Sequence, residues 1–310
     1  MGKYVVRRLL QMALVLVGAS ILLFACLFVV PGDPIATSHG EGRQLDAATR
    51  AALEKRYGLD RPLPLQYAGY VGRMVTGDMG ESYTFRRPVN AILMEKLGNT
   101  AQLALAATVL QIALGILAGI FAAVSRYSFL DVLITLATTI AVGLPTFVIG
   151  LVLQNVFAVN LGWLPSQGQE QGLTRSIILP ALTLAAVDTA LVARLMRGTM
   201  SEAMRADYIR TAYAKGLSRR DVILKHALRN SVIPVLTYLG IAFGSLLGGA
   251  IITETVFNWN GIGSALVAAI QSQDNPIVLG VATYGVAVFV VVNLLVDLSY
   301  AALDPRIRLE

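Results

Sequence analysis

Residues 101–124 read AQLALAATVLQIALGILAGIFAAV and contain no Asp, Glu, Lys or Arg. A helix needs about 20 such residues to cross the roughly 30 Å hydrocarbon core of a bilayer, so the run predicts a transmembrane helix. Working outward, the chain holds further runs of the same kind at Leu9–Val30, Val132–Gln154, Ile177–Met196, Val232–Thr253 and Ile277–Ala301. Each is bounded by charge, proline or a polar stretch. Composition agrees: 55% of the 310 residues are hydrophobic, 14% are charged, and the mean hydropathy is +0.66. A soluble domain carries about 25% charged residues. The expected fold class is an all-α polytopic membrane protein with about six transmembrane helices.

Prolines and charges order these spans. Pro31 ends the first, Pro180 and Pro234 fall in the first turn of the fourth and fifth, and Asn275-Pro276 reads as an N-cap and first residue for the sixth. Pro145 lies mid-span in the third and predicts a kink. The start, Met1-Gly-Lys-Tyr-Val-Val-Arg-Arg, reads as an uncleaved signal anchor whose Lys3, Arg7 and Arg8 hold the N-terminus in the cytoplasm. Six spans return Arg306 and Arg308 to the same side. The segment Arg197–Arg229 is strongly basic, and the loop between spans three and four has only Arg175, as the positive-inside rule expects. The organisation predicted is a cytoplasmic tip and first span (1–30), an extracytoplasmic interfacial segment (31–99), a five-helix core (100–303) with a cytoplasmic loop at about 197–231, and a cytoplasmic tail (304–310).

Several function classes drop out. The net charge of +6 and pI of about 9.5 follow from cytoplasmic Lys and Arg, and no pattern points to nucleic acid. Cys26, expected as a buried apolar thiol, has no partner for a disulfide, and His39 and His226 lie far apart, so no metal site is expected. There is no P-loop for ATP, no H-E-x-x-H or G-x-S-x-G, no paired-carboxylate constellation, no arginine-rich span and no potassium filter. No catalytic residue is assigned.

Two polar regions carry structure of their own. In the outer segment, Leu45–Tyr57 ending at Gly58, Pro64–Val75 and Val89–Leu97 read as short helices, and Tyr67, Tyr70 and Tyr83 suit the membrane interface. In the cytoplasmic loop, Ser201–Ala214 places Met204, Tyr208 and Ala212 on one helical face, and Gly216 permits a turn. Ser218-Arg219-Arg220-Asp221 then forms a capping box that opens a second short helix containing Val222, Ile223, Leu224 and Leu228. Two capped, basic, amphipathic helices make a docking element, the alternative being that their apolar faces pack on the chain's own bundle. Inside the membrane, Gly240, Gly244 and Gly248 form a ridge for close helix packing, as do Gly115 and Gly119. Asp188, mid-span in the fourth run, must face a partner or a watery path, with Asn293 as a weaker instance; Asp297 reads as a structural hydrogen-bonding group.

The loop Asp207-Tyr-Ile-Arg-Thr-Ala-Tyr-Ala-Lys-Gly216, followed by His226-Ala-Leu-Arg-Asn-Ser-Val-Ile-Pro234, resembles the signature loop of binding-protein-dependent ABC importer permeases. Against the general pattern E-A-A-x3-G-x9-I-x-L-P, Ala212, Gly216 and Leu228 match, while Arg210, His226 and Arg229 depart. The loop is closer to the version in dipeptide/oligopeptide permeases. Pro31-Gly-Asp-Pro34, Tyr57-Gly-Leu-Asp-Arg-Pro-Leu-Pro64, Gly77-Asp-Met-Gly80, Gly162-Trp-Leu-Pro165, Glu254-Thr-Val-Phe257 and Asp297 to Arg306 resemble the first of that family's two permease types. The resemblance implies a type I ABC importer permease in a bacterial or archaeal cytoplasmic membrane. Its partners would be a second permease in a pseudo-symmetric heterodimer, two ATP-binding subunits that hold ATP and Mg, and an external solute-binding protein. This chain would hold no cofactor. The loop would enter the ATPase through Asp207, Tyr208, Arg210, Thr211, Ala212, Lys215, Gly216, Leu217, Ser218, Arg219 and Asp221. Di- or oligopeptides are the implied cargo. A nickel chelate, glutathione, haem or an oligosaccharide are the alternatives within the same architecture, and an ion-coupled secondary transporter using Asp188 is the alternative outside it.

Overall fold

In the computed structural model, residues 2–28, 47–168, 173–248 and 250–303 are described. Regular structure among them is helical, apart from one isolated bridge between Glu81 and Pro88. The main helices are α1 (Gly2–Phe28), α2 (Ala47–Tyr57), α3 (Leu63–Val75), α4 (Val89–Val124), α5 (Phe129–Gly143), α6 (Thr146–Asn160), α7 (Ile178–Ala203), α8 (Asp207–Ala214), α9 (Arg219–Leu247), α10 (Ile251–Val256), α11 (Ile262–Gln271) and α12 (Asn275–Leu303). Five of these are long and apolar enough to cross a membrane, and the bent pair α5–α6 makes a sixth if it counts as one span. The chain is thus the helical membrane bundle that its hydropathy predicts.

Helix α7 sits at the centre, packed against α4, α5, α6 and α9. Its closest approach is to α4, where Gly119 meets Ala193 and Met196: a Cβ there would lie 2.5 Å from the Met196 Cβ and 2.7 Å from the Ala193 carbonyl oxygen. Gly115 is equally tight against Val192. On the far side of the bundle, α9 meets α12 through Gly244 against Val292 and Gly248 against Gly285. The exposed apolar residues of α1, including Leu10, Leu14 and Leu22, suit lipid or a neighbouring subunit.

The structure corrects several expectations. Val89–Leu97 is no separate helix: it is the outer end of α4, whose 36 residues extend about 54 Å. The boundary expected at residue 99 therefore falls inside a helix. The third span is broken rather than kinked, turning by 109° between α5 and α6. Leu144 there is extended (φ −95°, ψ 134°), the conformation that the following Pro145 favours, and Pro145 caps the next helix. Pro234 is interior to α9, because that helix starts well before the apolar run, at Arg219. The helix then stops at Leu247, short of Thr253. Cys26 is exposed on the surface of α1 rather than buried. Pro31-Gly-Asp-Pro34, Leu45, the Asp297 side chain and the 304–310 tail lie outside the described residues.

The outer segment sits on the bundle through its tyrosines. The Tyr67 hydroxyl pairs with Ser20 of α1 at 3.0 Å, and the Tyr70 hydroxyl with Thr283 of α12 at 2.6 Å. Burial pushes the Tyr70 phenol above its ordinary range. Gly58 (φ +68°) ends α2 as the sequence predicts.

The glycine contacts give a direct test. Alanine raises helix propensity by about 1 kcal/mol over glycine, yet at Gly119 its Cβ has no room. Gly119→Ala is expected to lower the thermal midpoint of the purified protein, with overpacking outweighing propensity at about 1–3 kcal/mol. Gly198→Ala, with nothing within 4 Å of the new Cβ, is expected to hold or raise it. Equal midpoints for the two variants would contradict the packing described.

Candidate coupling loop and membrane polar cluster

The C-terminal end of α7 leads through Met204–Ala206 into α8, then through Lys215–Ser218 into α9. The turn is closed by backbone bonds from Lys215, Gly216 and Leu217 to Thr211, Tyr213 and Ala212. Gly216 takes φ +79°, a conformation that side-chain-bearing residues resist, with open space around it. Ser218 caps α9: its hydroxyl accepts from the Asp221 amide at 3.2 Å and donates to the Asp221 carboxylate at 2.7 Å. Asp221 also pairs with Lys225 at 2.6 Å. Asp207 and Arg210 are 3.7 Å apart and almost fully exposed, so that pair adds little. The second arm is not a short helix of its own. It runs through a π-helical stretch, Val222–Ala227, straight into span five.

One face of this loop is buried and the other is not. Ile209, Ala212, Val222 and Ala227 belong to the same apolar cluster as Ala123 of α4, Met196 and Met200 of α7, and Val235 and Leu239 of α9. Tyr208 and Ala212, expected on one helical face, are separated: Tyr208 is exposed, while Ala212 is buried together with Ile209. The buried face of α8 carries Ile209 and Ala212, three residues apart, and packs against the Val222–Ala227 stretch of α9. The outer face presents Tyr208, Tyr213, Leu217 and the basic side chains of Arg205, Arg210, Lys215, Arg219 and Arg220. Beside the loop, Arg197 of α7 grips Asp131 at the start of α5. One guanidinium nitrogen donates at 2.9 Å, and its Nε lies 2.7 Å from the other carboxylate oxygen.

Asp188 lies inside the bundle with both oxygens engaged. The Tyr238 hydroxyl of α9 donates to one at 2.6 Å, and the Gln111 amide of α4 to the other at 3.2 Å. Three spans meet on one carboxylate. Gln111 is fully buried and opens a π-helical turn, Gln111–Gly115, whose widened backbone faces α7. The Oε1 of Gln111 and the Oγ1 of Thr189 are buried with no hydrogen-bond partner. Asn293 borders a different cavity, of about 290 Å³, between α1 and α12 with Arg8 and Gln11. The structure does not bring Asn293 and Asp188 together. Gly240 belongs to α9, as do Gly244 and the capping Gly248.

The outer end holds two carboxylates that the sequence reading had not given a structural role. Glu254 is fully buried: Thr100 of α4 donates to it at 2.7 Å and the Ser264 amide of α11 at 2.9 Å. Gly261 and Gly263 leave it space, since a Cβ on Gly261 would fall 2.4 Å from the carboxylate. Asp274, also fully buried, receives the Ser82 hydroxyl at 2.6 Å and the Thr84 amide at 2.9 Å, fastening the outer segment to the start of α12. Gln111 lies inside the apolar run 101–124, where nothing in the sequence says which helix its amide meets. Tyr238 and Asp274 carried no local signal.

A helical membrane bundle whose two-armed loop between α7 and α9 is rooted in its own core has the build of a transporter's membrane subunit. The model of the binding-protein-dependent transport system inner membrane component matches residues 115–309, its N-terminal counterpart matches residues 1–104, and the chain belongs to this family. It is 38% identical to the dipeptide transport system permease protein DppB of Alkalihalophilus pseudofirmus, over 98% of this chain and 99% of that one. It is 39% identical to the glutathione transport system permease protein GsiC of Escherichia coli O6:H1, over 99% of both. Its fold is similar to a chain in inward-facing conformations of the MetNI methionine ABC transporter, with a TM-score of 0.54 at 15% identity, covering 69% of this chain and 96% of that chain.

The Asp188 cluster is testable as a unit. Hydrogen bonds to a charged group contribute about 1.5–3 kcal/mol. Tyr238→Phe and Asp188→Asn are each expected to lower thermal stability, and the double variant to lose less than their sum, with a coupling of about 1 kcal/mol or more. Strict additivity in the melting of the four proteins would separate the two groups.

Proposed function

We propose that this chain is one of two permease subunits of an ATP-driven importer of di- and oligopeptides. It resides in a cytoplasmic membrane with both termini inside. It forms half of the path and performs no bond chemistry. Two separate ATPase subunits hold ATP and Mg, and an external solute-binding protein delivers the cargo. The observation that carries this reading is the loop from Asp207 to Asp221, which shares one apolar cluster with α4, α7 and α9 while offering an exposed basic and aromatic face. A partner that pushes on that face moves the packed spans. Peptide cargo is supported by the near full-length similarity to a dipeptide permease. Alternating access follows if each nucleotide state of the ATPase favours one arrangement of the spans. With both oxygens occupied by neighbouring helices, Asp188 is assigned to holding α4, α7 and α9 in register in preference to touching cargo.

The similarity to a glutathione permease favours glutathione as the second reading, since that molecule is itself a small peptide. Mass spectrometry of the ligand retained by the co-purified binding protein decides between the two. An ion-coupled transporter would move cargo when purified alone, and this chain is expected not to.

Gly216→Val tests the loop. A Cβ at Gly216 meets no atom within 4 Å, and the positive φ of the turn is what the substitution strains. The variant is expected to insert and to keep its spans, while the complex either loses its ATPase subunits or hydrolyses ATP with peptide uptake lowered at least tenfold. Uptake at the wild-type rate from a normally assembled complex would refute the coupling role.

A further inference from the structure

Arg194 stands out once its depth is fixed. Arg194 and Arg197 lie one turn apart on α7, yet they meet different surroundings. Arg197 finds the Asp131 carboxylate at the very start of α5. The Arg194 guanidinium reaches Thr138 (Nε, 3.4 Å) and Thr139 (a terminal nitrogen, 2.9 Å), seven to eight residues further along α5. That is roughly 11 Å further along α5, toward the interior of the apolar span, than the Arg197–Asp131 pair. Helical side chains lean toward the N-terminus of their helix, which on α7 is the outer end, so the side chain extends away from the cytoplasm. An arginine whose purpose was to reach water would snorkel the other way.

The partners are as telling as the depth. Thr138 and Thr139 are neutral, and no carboxylate bonds to Arg194 among the described residues. Asp188, two turns up the same helix, is committed to Tyr238 and Gln111. A guanidinium has five N–H donors. Thr138 takes the Nε–H and Thr139 takes one hydrogen of a terminal nitrogen. The free edge is the end-on pair formed by the two terminal nitrogens, the geometry that holds a carboxylate in a fork. Arg194 is exposed on this chain, and a cation at that depth is too costly to face lipid, so the seam between α5 and α7 faces water or protein.

We infer that Arg194, held in place by Thr138 and Thr139, is a contact in the translocation path for the carboxylate of the cargo, the one anionic group that every unmodified peptide carries at its C-terminus. The inference rests on the peptide-importer reading. A permanent pair with a carboxylate of the second permease is the competing source of the same chemistry. It is disfavoured because a fixed bridge across the path would have to break at every opening, whereas a hydroxyl-held guanidinium stays charged and available in each state.

The test uses the assembled importer, with its second permease, ATPases and binding protein, in proteoliposomes. Trialanine and trialanine amide are supplied at concentrations giving equal occupancy of the binding protein, checked by native mass spectrometry, so that differences arise in the membrane. Arg194→Gln is expected to cut trialanine uptake about tenfold or more and amide uptake less than twofold, each relative to wild type with the same cargo. Arg194→Lys, which keeps a cation without the fork, is expected to recover at least a third of the trialanine uptake. Equal losses for acid and amide would make Arg194 a structural residue and overturn the inference. So would undiminished trialanine uptake by Arg194→Gln, or a variant that no longer holds the second permease on purification, which would place the carboxylate on that subunit. A wild-type complex that moves neither cargo while hydrolysing ATP would instead overturn the peptide-importer reading, and this inference with it.

Discussion

The contact of Gly119 with the Ala193–Met196 turn of α7 sets the geometry of the core. A Cβ at that position would overlap a backbone carbonyl, so the two helices can meet at this distance only through glycine. In lipid there is no hydrophobic force to press helices together, and close packing of small residues takes over that role. With α4 seated against one side of α7, the remaining sides accept α5, α6 and α9. The loop between α7 and α9 then inherits its position, because Ile209, Ala212 and Val222 join the cluster formed with Ala123 of α4, Met196 and Met200 of α7, and Val235 and Leu239 of α9.

Polar groups fix what apolar packing leaves adjustable. Each of four carboxylates joins elements distant in sequence. Asp131 ties α5 to α7, Asp188 ties α7 to α4 and α9, Glu254 ties α10 to α4 and α11, and Asp274 ties the outer segment to α12. A buried carboxylate left without donors is expensive, so each arrangement discriminates against registers that strand its charge. The bundle is bolted near both faces and once in the middle.

The spans were legible because lipid demands an apolar run, and hydropathy reads such runs directly. Their ends were not, because helices do not stop where hydropathy does. Glu95, Lys96 and Asn99 interrupt the apolar pattern at the start of α4 without containing a helix breaker, and α4 continues through them. Arg219 to Arg229, where charges are interspersed with apolar residues and no helix breaker stands, belong to α9 in the same way. The turn at Gly216 and the cap at Ser218 were legible because each depends on local backbone chemistry. The separation of exposed Tyr208 from buried Ala212 was not, since it depends on where the chain breaks between α7 and α8. Asp188 announced itself as a charge in an apolar run. Its partners Gln111 and Tyr238 could not be read, because periodicity gives a residue its face and says nothing of which helix covers that face.

The continuity of α9 has a mechanical consequence. From the Ser218 cap to Leu247 it is one rod of 29 residues, about 44 Å long. Beyond its outer end, Gly248 and Gly285 bring two backbones together with no side chains between them. With Val292 seated in the Gly244 notch one turn away, such a joint can serve as a fulcrum. Rocking the rod by 10° about that point would sweep its Ser218 tip through roughly 8 Å while the Leu247 tip barely moves. The ratio makes the two ends of the bundle unequal: a large stroke at the loop translates into a small, forceful adjustment at the opposite end.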